Sequence, residues 1–567
     1  MLNYIALYPH NHEDEFNNEF ILGTHDKPIV DFVITAMKEF EAVENIKIEN
    51  IEVIENQDEV DINAHLVNIN FKKKDIDSIE IPKNKYIADN KFGEIIFTIR
   101  IATNISEKVI TKRILIPLQS EDGYYVNNNK KMKAIWQLID ASTYSQRGKI
   151  TLKSRMPIII YHNKHRRIED IDGNEFVMPS YSYALSAKSK KPGSKNMTKF
   201  INPIMIYAAK MGFNKTREFF GMKDIVFIGD DFKESDREKY YIFQVDEIYV
   251  KVDKYLYDKY ELVRSFVCMV CNLKSKYYPV TRNSLEDRLY WICRIGFIGG
   301  SGKNKSITTF KEKGITTIYM IERLLDNTTI NNLRLPHIYK HNIYYLLYWI
   351  ITNFDNLKTR TNIDMYNKRI RRNEYIVNSS LGKKINENLN KLIEKKSKSK
   401  MNTMDTLLEL FNFNSDIIFS GMRNLNDLLK SDDLVNDLTF LSDISYSAKG
   451  PNSLGEASSK MIATKYRYLH PSMVGVLDLT TSSNSDVGMS GSFTPFVKLY
   501  DDFYFTPERE PCDARYLFDK VLKEEEHMDI VLDVSDFDTY LESMQENNPF
   551  NEYLVYEPIN IIEREEN

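Results

Sequence analysis

The chain has 567 residues, of which 28% are charged, and its formal net charge is −5 at pH 7. A chain of this length can bury several hydrophobic cores without metals or disulfides, and the slightly acidic balance argues against a uniformly basic, histone-like protein. The longest apolar run, at 343–351, is far shorter than the roughly 20 residues that span a bilayer. These features predict a cytoplasmic protein of several domains without a membrane segment.

Strand patterns dominate the start of the chain. Residues 92–101 (FGEIIFTIRI) alternate between apolar and polar side chains, as is typical of a half-buried strand. Residues 113–118 (RILIPL) run into the turn signal SEDG, which predicts a hairpin with a further strand at 124–126. A helix is predicted at 130–142.

A second group of elements starts near residue 151, as though another domain were inserted. Strands are predicted at 156–161 and 176–178, on either side of an Asp-Gly turn. Helical periodicity then dominates 284–356 and returns at 381–429.

Positive charge is concentrated in four clusters, although the net charge is negative. A solvated face is the more common explanation of any one such cluster, but four of them favour a surface that binds nucleic acid. The clusters lie at 162–167, 188–199, 358–372 and 395–400.

One glycine-rich segment looks like a phosphate-binding loop. In 296–306 (GFIGGSGKNKS), Phe297 and Asn304 occupy the positions where that motif needs a glycine and a hydroxyl side chain. A flexible basic loop is therefore the preferred interpretation.

Two pairs of residues could bind a metal ion. Asp536 and Asp538 could serve a nuclease, but the acidic neighbourhood has no basic group for the substrate, so an exposed turn is the preferred interpretation. Cys268 and Cys271 have the spacing of zinc ligands but no second pair follows, so buried thiols on an apolar helix are preferred. We expect no catalytic residue and no metal ligand on this chain.

Residues 467–496 are unusually rich in glycine, serine and threonine. Backbone amides in such a loop can approach phosphate groups closely, and a plain surface loop is the alternative. The segments AKGPNSL at 448–454, RYLHP at 467–471 and NSDVG at 484–488 resemble, in this order, the fork region of the β subunit of multisubunit RNA polymerases.

Two earlier segments resemble the same family, namely 116–138 (IPLQSEDGYYVNNNKKMKAIWQL) and 364–371 (DMYNKRIR). A full β subunit continues for hundreds of residues after the fork, so the chain resembles the N-terminal half of a split β subunit. That organisation is similar to the RNA polymerases of giant, phiKZ-like bacteriophages.

The resemblance implies the α+β multidomain fold of the N-terminal half of an RNA polymerase β subunit. A protrusion would occupy 1–140 and return at 365–435, with an inserted lobe at 141–364. A fork region would follow at 436–500, and an external segment with an acidic end at 501–567.

The resemblance also implies which residues act at the fork. The expected nucleic-acid contacts are Gln137, Arg369, Arg371, Lys449, Asn452, Arg467 and His470. Arg369 and Arg371 have the alternative role of tying lobe to protrusion, which we favour. The residues expected to shape the fork loop are Gly450, Pro451, Pro471, Asp486 and Gly488.

The implied activity is that of a DNA-directed RNA polymerase subunit, a nucleotidyltransferase active only in the assembled complex. Mg²⁺ would be bound by the β′ partner and not by this chain. The implied partners are the C-terminal half of β, split β′ polypeptides, double-stranded template DNA and the RNA transcript, and a promoter-specificity subunit is left open. The enzyme would act in the host bacterial cytoplasm, with packaging in the virion left open, and the alternative is a virion structural or DNA-packaging protein.

Overall fold

The computed structural model describes residues between 27 and 505. The described ranges are 27–60, 91–119, 125–127, 130–187, 197–273, 280–299, 307–335, 341–359, 363–396, 403–422, 429–431 and 445–448, with single gaps at 104, 147 and 156, followed by 470–474, 476–478, 490–494, 497, 499 and 503–505. They fall into two compact units, one within Met1–Ala141 and Thr361–Glu508 and the other within Ser142–Arg360. The proposed division into protrusion, lobe, fork region and external segment stays a prediction.

The first unit starts with a helix that shares a core with a three-stranded antiparallel sheet. Helix α1 (Ile29–Lys38) buries Val33 and Met37 in this core. The strands are β1 (Ile46–Ile54), β2 (Phe92–Ala102) and β3 (Glu107–Pro117), in the order β1-β2-β3. Alternate residues of β2 are fully buried from Ile95 onward, which confirms the strand predicted at 92–101.

The prediction of a hairpin between 113–118 and 124–126 is wrong. Strand β3 pairs with β2 along its whole length, from Phe92↔Pro117 to Ala102↔Glu107. The residues after the SEDG turn form β4 (Tyr125–Asn127), which pairs with β5 (Lys130–Ala134) in another sheet.

The helix predicted at 130–142 is also wrong, because β5 and β6 (Trp136–Asp140) occupy this segment. All five residues of β6 are buried. A strand that is enclosed on both faces has no polar side, so its sequence lacks the alternation of a half-buried strand and can be mistaken for a helix.

The second unit starts with a five-stranded antiparallel sheet in the order β11-β10-β9-β8-β7. Its strands are β7 (Thr143–Gln146), β8 (Lys149–Leu152), β9 (Ile158–Glu169), β10 (Glu175–Ala187) and β11 (Met197–Ile201). Strands β9 and β10 confirm the two predicted strands, and the turn between them contains Gly173, whose φ of +82° favours glycine.

A smaller antiparallel sheet and a set of helices complete the second unit. The sheet has the order β12-β14-β13, formed by β12 (Val226–Gly229), β13 (Tyr240–Val245) and β14 (Ile248–Asp253). The helices are α2 (Ile204–Met211), α3 (Phe213–Phe219), α4 (Asp236–Lys239), α5 (Lys254–Lys259), α6 (Glu261–Cys271), α7 (Arg282–Glu286), α8 (Arg288–Gly299), α9 (Ile307–Glu322), α10 (Asn327–Asn332), α11 (Ile343–Thr352) and α12 (Phe354–Thr359). They confirm the helical periodicity at 284–356.

Cys268 and Cys271 lie on α6, and both thiols are buried in the core of the second unit. Burial raises the pKa of the Cys271 thiol, because a thiolate would be poorly solvated there. The interpretation as buried thiols on an apolar helix is confirmed.

The chain then returns to the first unit. The elements are β15 (Lys368–Arg371), α13 (Asn373–Val377), a π-helical turn (Asn378–Gly382), α14 (Lys383–Lys396), α15 (Met404–Leu408), α16 (Ile417–Met422), β16 (Leu429–Ser431), β17 (Ser445–Ser447) and β18 (Ser490–Ser492). Strand β16 extends the small sheet to the order β16-β5-β4. Within the described ranges, no helix is both long and apolar enough to pass through a bilayer.

Lys112 on β3 is a buried base in the first unit, 7% exposed. Its ammonium group donates a hydrogen bond to the carbonyl oxygen of Phe413 and lies 4.2 Å from the centre of the Phe413 ring. Burial lowers the pKa of Lys112 to about 8. Between about pH 8 and the ordinary value of 10.5, the unfolded chain therefore binds a proton that the folded chain does not, and stability rises with pH.

We expect Lys112→Met to remove this pH dependence. In the wild type, the free energy of unfolding should rise by up to about 1.4 kcal/mol per pH unit across the interval, on top of the titration of other groups. Urea unfolding at a series of pH values measures the difference in slope, and Lys108→Met, at an exposed position on the same strand, is the control. Equal slopes for the wild type and Lys112→Met would contradict the prediction.

Candidate nucleic-acid interface

One sheet of the first unit joins segments that are far apart in the sequence. Its order is β15-β6-β17-β18. Strand β6 lies at the end of the polymerase-like segment 116–138, and β15 lies in 364–371. Strand β17 ends where 448–454 begins, and β18 follows 484–488. Two of the four strands therefore come from segments that resemble an RNA polymerase β subunit, and the other two adjoin such segments in the sequence. We call this sheet the fork sheet.

The pairing of the fork sheet fixes where its longest connection begins and ends. Strand β17 runs parallel to β6, with Ser447 opposite Gln137, and antiparallel to β18, with Ser447 opposite Ser490. The chain therefore leaves β17 and re-enters β18 at neighbouring positions of the same register. The segment 449–489 starts and finishes at one end of the fork sheet.

An apolar cluster holds the fork sheet in place. The Tyr446 ring on β17 stacks on the Phe493 ring with 4.7 Å between ring centres, and Phe493 also contacts Phe505. The guanidinium of Arg372 lies 4.7 Å from the centre of the Trp136 ring. The buried members of the cluster are Trp136, Leu138, Met365, Ile370, Tyr446, Ala448, Met473, Leu477, Phe493, Val497 and Phe505.

A buried charged cluster links β15, β6 and α13. Arg369 and Arg371 project from the same face of β15, as residues two apart on a strand do. Arg369 makes two hydrogen bonds to the Glu374 carboxylate, at 2.7 and 2.8 Å, and Arg371 Nη1 lies 3.4 Å from Glu374 Oε1. Arg371 Nε donates to Gln137 Oε1 at 2.7 Å, which connects the cluster to β6. We call these four residues the arginine cluster.

The arginine cluster determines the protonation of its carboxylate. Burial acts to raise the pKa of Glu374, but the guanidinium groups of Arg369 and Arg371 outweigh it and hold this pKa at about 2. Burial also lowers the pKa of Arg371 to about 10, which still leaves the guanidinium charged at neutral pH. The same sheet has a second buried ion pair, between Lys368 Nζ and Asp140 Oδ1 at 3.0 Å.

A short turn places His470 beside the start of β15. Pro471 occupies the first position of a 3₁₀ helix (Pro471–Met473), where its fixed φ suits the helix. His470 Nδ1 lies 2.7 Å from the Ser472 hydroxyl, and that hydroxyl accepts a hydrogen bond from the Met365 amide at 2.9 Å. The turn is thereby attached to the segment that leads into β15.

The structure corrects the expected orientation of Gln137, Arg369 and Arg371. Gln137 has no exposed surface, and each arginine is 4% exposed. Their polar atoms face one another and Glu374 inside the first unit, so they do not face a nucleic acid. The role of Arg369 and Arg371 in tying lobe to protrusion stays a prediction. We interpret them as residues that position the fork sheet.

The other predicted site residues divide into two groups. His470 and Pro471 lie on the turn described above, with the His470 side chain 34% exposed. Seven residues lie outside the described ranges, namely Lys449, Gly450, Pro451, Asn452, Arg467, Asp486 and Gly488. The candidate nuclease residues Asp536 and Asp538 also lie outside them.

Sequence reasoning missed Glu374 and the pair of Lys368 with Asp140. A signal was present for Glu374, because it is the first acidic residue after the basic run 368–372. The partner of Lys368 has no such signal, since Asp140 is 228 residues away along the chain.

Comparison with known protein families gives the class of the protein, that of RNA polymerase subunits. The matching family model covers residues 8–513, which is most of the chain. The chain belongs to the non-virion RNA polymerase subunit family. It is thus a subunit of a phage multisubunit RNA polymerase, and other subunits are its partners. A search of curated proteins gives no match.

Proposed function

We propose that this chain is the N-terminal half of a split β-like subunit and that its fork sheet carries the fork of a DNA-directed RNA polymerase. The observation that supports this most directly is the fork sheet itself. Strands β6 and β15 come from two segments that resemble a β subunit, and they pair although Gln137 and Arg371 are 234 residues apart. Strands β17 and β18, which adjoin two further such segments, complete the same sheet.

The pairing of Ser447 with Gln137 and Ser490 suggests how the fork works. The segment 449–489 connects β17 to β18, and β17 pairs with the strand that carries Gln137 of the arginine cluster. Charge-assisted hydrogen bonds hold that cluster together. A rigid base of this kind would keep Lys449, Asn452, Arg467 and His470 at a fixed distance from template and transcript. Their side chains can contact phosphates and bases, which orients the strands without chemistry on this chain.

Catalysis would depend on a metal bound elsewhere. Two Mg²⁺ ions on the β′ partner would stabilise the attacking and leaving oxygens of nucleotidyl transfer. The described residues of this chain contain no group of three or more His, Cys, Asp or Glu side chains suited to a metal. On this proposal, the chain binds and orients nucleic acid, and the β′ partner supplies the metal ligands.

The family description bears on where the enzyme acts. A non-virion polymerase fits an enzyme made in the infected bacterium rather than one carried in the particle. It also disfavours the alternative of a virion structural or DNA-packaging protein. The C-terminal half of β and split β′ polypeptides remain the proposed partners, and phiKZ-like phages the proposed origin.

Reconstitution tests the proposal. The tagged chain is purified from infected cells, its partners are identified by mass, and the complex is rebuilt from separately produced subunits on template DNA. We expect RNA synthesis from the full set and none when this chain is left out, because the cleft then lacks one wall. The chain alone, incubated with Mg²⁺ and labelled DNA, should neither make RNA nor cut DNA. Full activity without this chain would refute the proposed role.

A further inference from the structure

The outward face of the five-stranded sheet in the second unit has an unusual composition. Along β8, Ile150 and Leu152 are buried in the core, whereas Lys149 and the following Lys153 point the other way. The neighbouring strands place aromatic rings on the same side, with Tyr161 opposite Lys149 and Tyr144 opposite Thr151. We call this surface the aromatic face, defined by Tyr144, Lys149, Lys153, Ile159, Tyr161 and Phe200.

The rings of the aromatic face reach across the sheet. Phe200 on β11 and Tyr161 on β9 are separated by β10, yet their ring centres are 5.3 Å apart at an angle of 85°. They meet because β10 presents only Ser182 and Ala184 between them, opposite Tyr161 and Phe200 respectively. Phe200 is 39% exposed, which is high for a phenylalanine on a sheet. The two rings therefore form one apolar contact on this face, where Phe200 is exposed to solvent and Tyr161 is half-buried.

Lysines accompany these rings. Lys149 Nζ lies 6.0 Å from the centre of the Tyr161 ring, and Lys153 Nζ lies 5.3 Å from the centre of the Tyr144 ring. The two lysines are four residues apart on one side of β8 and its extension, so both present their charge to the same surface.

The strands that form the aromatic face lack acidic residues outside one hairpin tip. The whole chain has 81 acidic residues, yet none occurs in 141–168 or in 176–217. Acidic residues are confined to the hairpin tip at 169–175, beyond the aromatic face. A surface with this excess of positive charge attracts polyanions such as nucleic acids.

We propose that the aromatic face binds a single-stranded polynucleotide, with bases stacked on Tyr161, Phe200 and Tyr144 and with phosphates paired to Lys149 and Lys153. Aromatic rings can stack only on bases that are unpaired, and the combination of rings with a basic surface is how proteins hold single strands without reading their sequence. A duplex could use the lysines but not the rings. The inference goes beyond the proposed fork and needs only that a polymerase separates strands.

Fluorescence anisotropy with the purified full-length chain tests this site. The probes are fluorescein-labelled dT20, U20 and a 20-base-pair DNA duplex, each titrated at several salt concentrations. We expect Tyr161→Ala to weaken binding of the single strands about tenfold, in line with the loss of one stacked base, and to leave duplex binding within about twofold. Lys149→Gln and Lys153→Gln should each lower the salt slope for single strands by about 0.7.

The second unit offers a matched control pair. Tyr255 on α5 is 57% exposed, and Lys259 Nζ lies 5.3 Å from the centre of its ring, but neither is on the aromatic face. Tyr255→Ala and Lys259→Gln should bind every probe as the wild type does. Tyr161→Phe keeps the ring and should retain binding, which separates loss of stacking from loss of folding.

The anisotropy titrations can support or refute the proposed single-strand site. Selective loss with Tyr161→Ala supports the site, and a preference for dT20 or for U20 tells whether it holds a DNA strand or the transcript. The proposal is refuted if the wild type binds no single strand, if Tyr161→Ala weakens duplex binding as much as single-strand binding, or if the control pair has the same effect as the aromatic face. Because these measurements need no partner subunit, they are independent of whether reconstitution supports the fork.

Discussion

Replacing Glu374 by glutamine is expected to lower the free energy of unfolding of the first unit by about 3–5 kcal/mol, the usual result of removing one partner from a buried ion pair. Glu374 is 4% exposed, and its carboxylate forms ion pairs with both Arg369 and Arg371. Without its charge, two guanidinium groups stay buried beside a neutral amide. Glutamine keeps the shape of the Glu374 side chain, so the loss of stability reports the loss of charge rather than a change in packing.

Urea unfolding together with hydrogen exchange, followed by mass spectrometry, measures this effect. Peptides within 363–396 should exchange faster in Glu374→Gln, because β15 and α13 lose their link. Glu387→Gln is the matched control, since Glu387 is exposed on α14 and should change stability by less than about 0.5 kcal/mol. Equal stability of Glu374→Gln and Glu387→Gln would show that the arginine cluster does not hold the fork sheet.

Acid provides an independent readout of the same group. The pKa of Glu374 is about 2 in the folded chain against an ordinary value of 4.5. The unfolded chain therefore takes up a proton first as pH falls, and the stabilisation present above pH 4.5 is lost progressively toward pH 2. Glu374→Gln lacks this titration, so the stability gap between wild type and variant should narrow over that interval.

The elements that could be predicted from the sequence are those with one polar side. The strand at 92–101 and the turn with Gly173 follow from local patterns, and so do the helices between 284 and 356. The strand and helix α9 each expose one face to solvent, and the turn needs a special backbone angle; both requirements leave a mark on the residues nearby. Helix α11, which is buried along 343–351, is the exception.

The fork sheet could not be predicted in the same way. All five residues of β6 are buried, so both of its faces are enclosed and its sequence lacks the alternation that separates a strand from a helix. The orientation of Gln137, Arg369 and Arg371 was missed for a related reason. Arginines in a basic run suggest an exposed anion-binding surface, and only the fold shows that Glu374 and Gln137 close around them.

Gly296, in the segment 296–306 that looks like a phosphate-binding loop, is another residue whose role only the fold shows. The structure places Gly296 inside α8, where it faces Gly314 of α9 rather than a loop. A Cβ on Gly296 would overlap with the carbonyl oxygen of Phe310, and a Cβ on Gly314 would overlap with that of Ile292. Each glycine is therefore needed for the close approach of the two helix backbones.

We expect Gly314→Ala to destabilise the second unit by about 2–3 kcal/mol, because the added methyl group meets backbone atoms that cannot rotate away and the helices must separate. Gly296→Ala should cost a similar amount, and the double variant less than the sum, since one separation relieves both overlaps. The comparison is made by urea unfolding and by hydrogen exchange of peptides covering 288–299 and 307–322. Thr316→Ala on α9 is the control, because the Thr316 hydroxyl bonds only to the Glu312 carbonyl of its own helix. If Gly314→Ala were as stable as Thr316→Ala, the close contact between the two helices would be absent in solution.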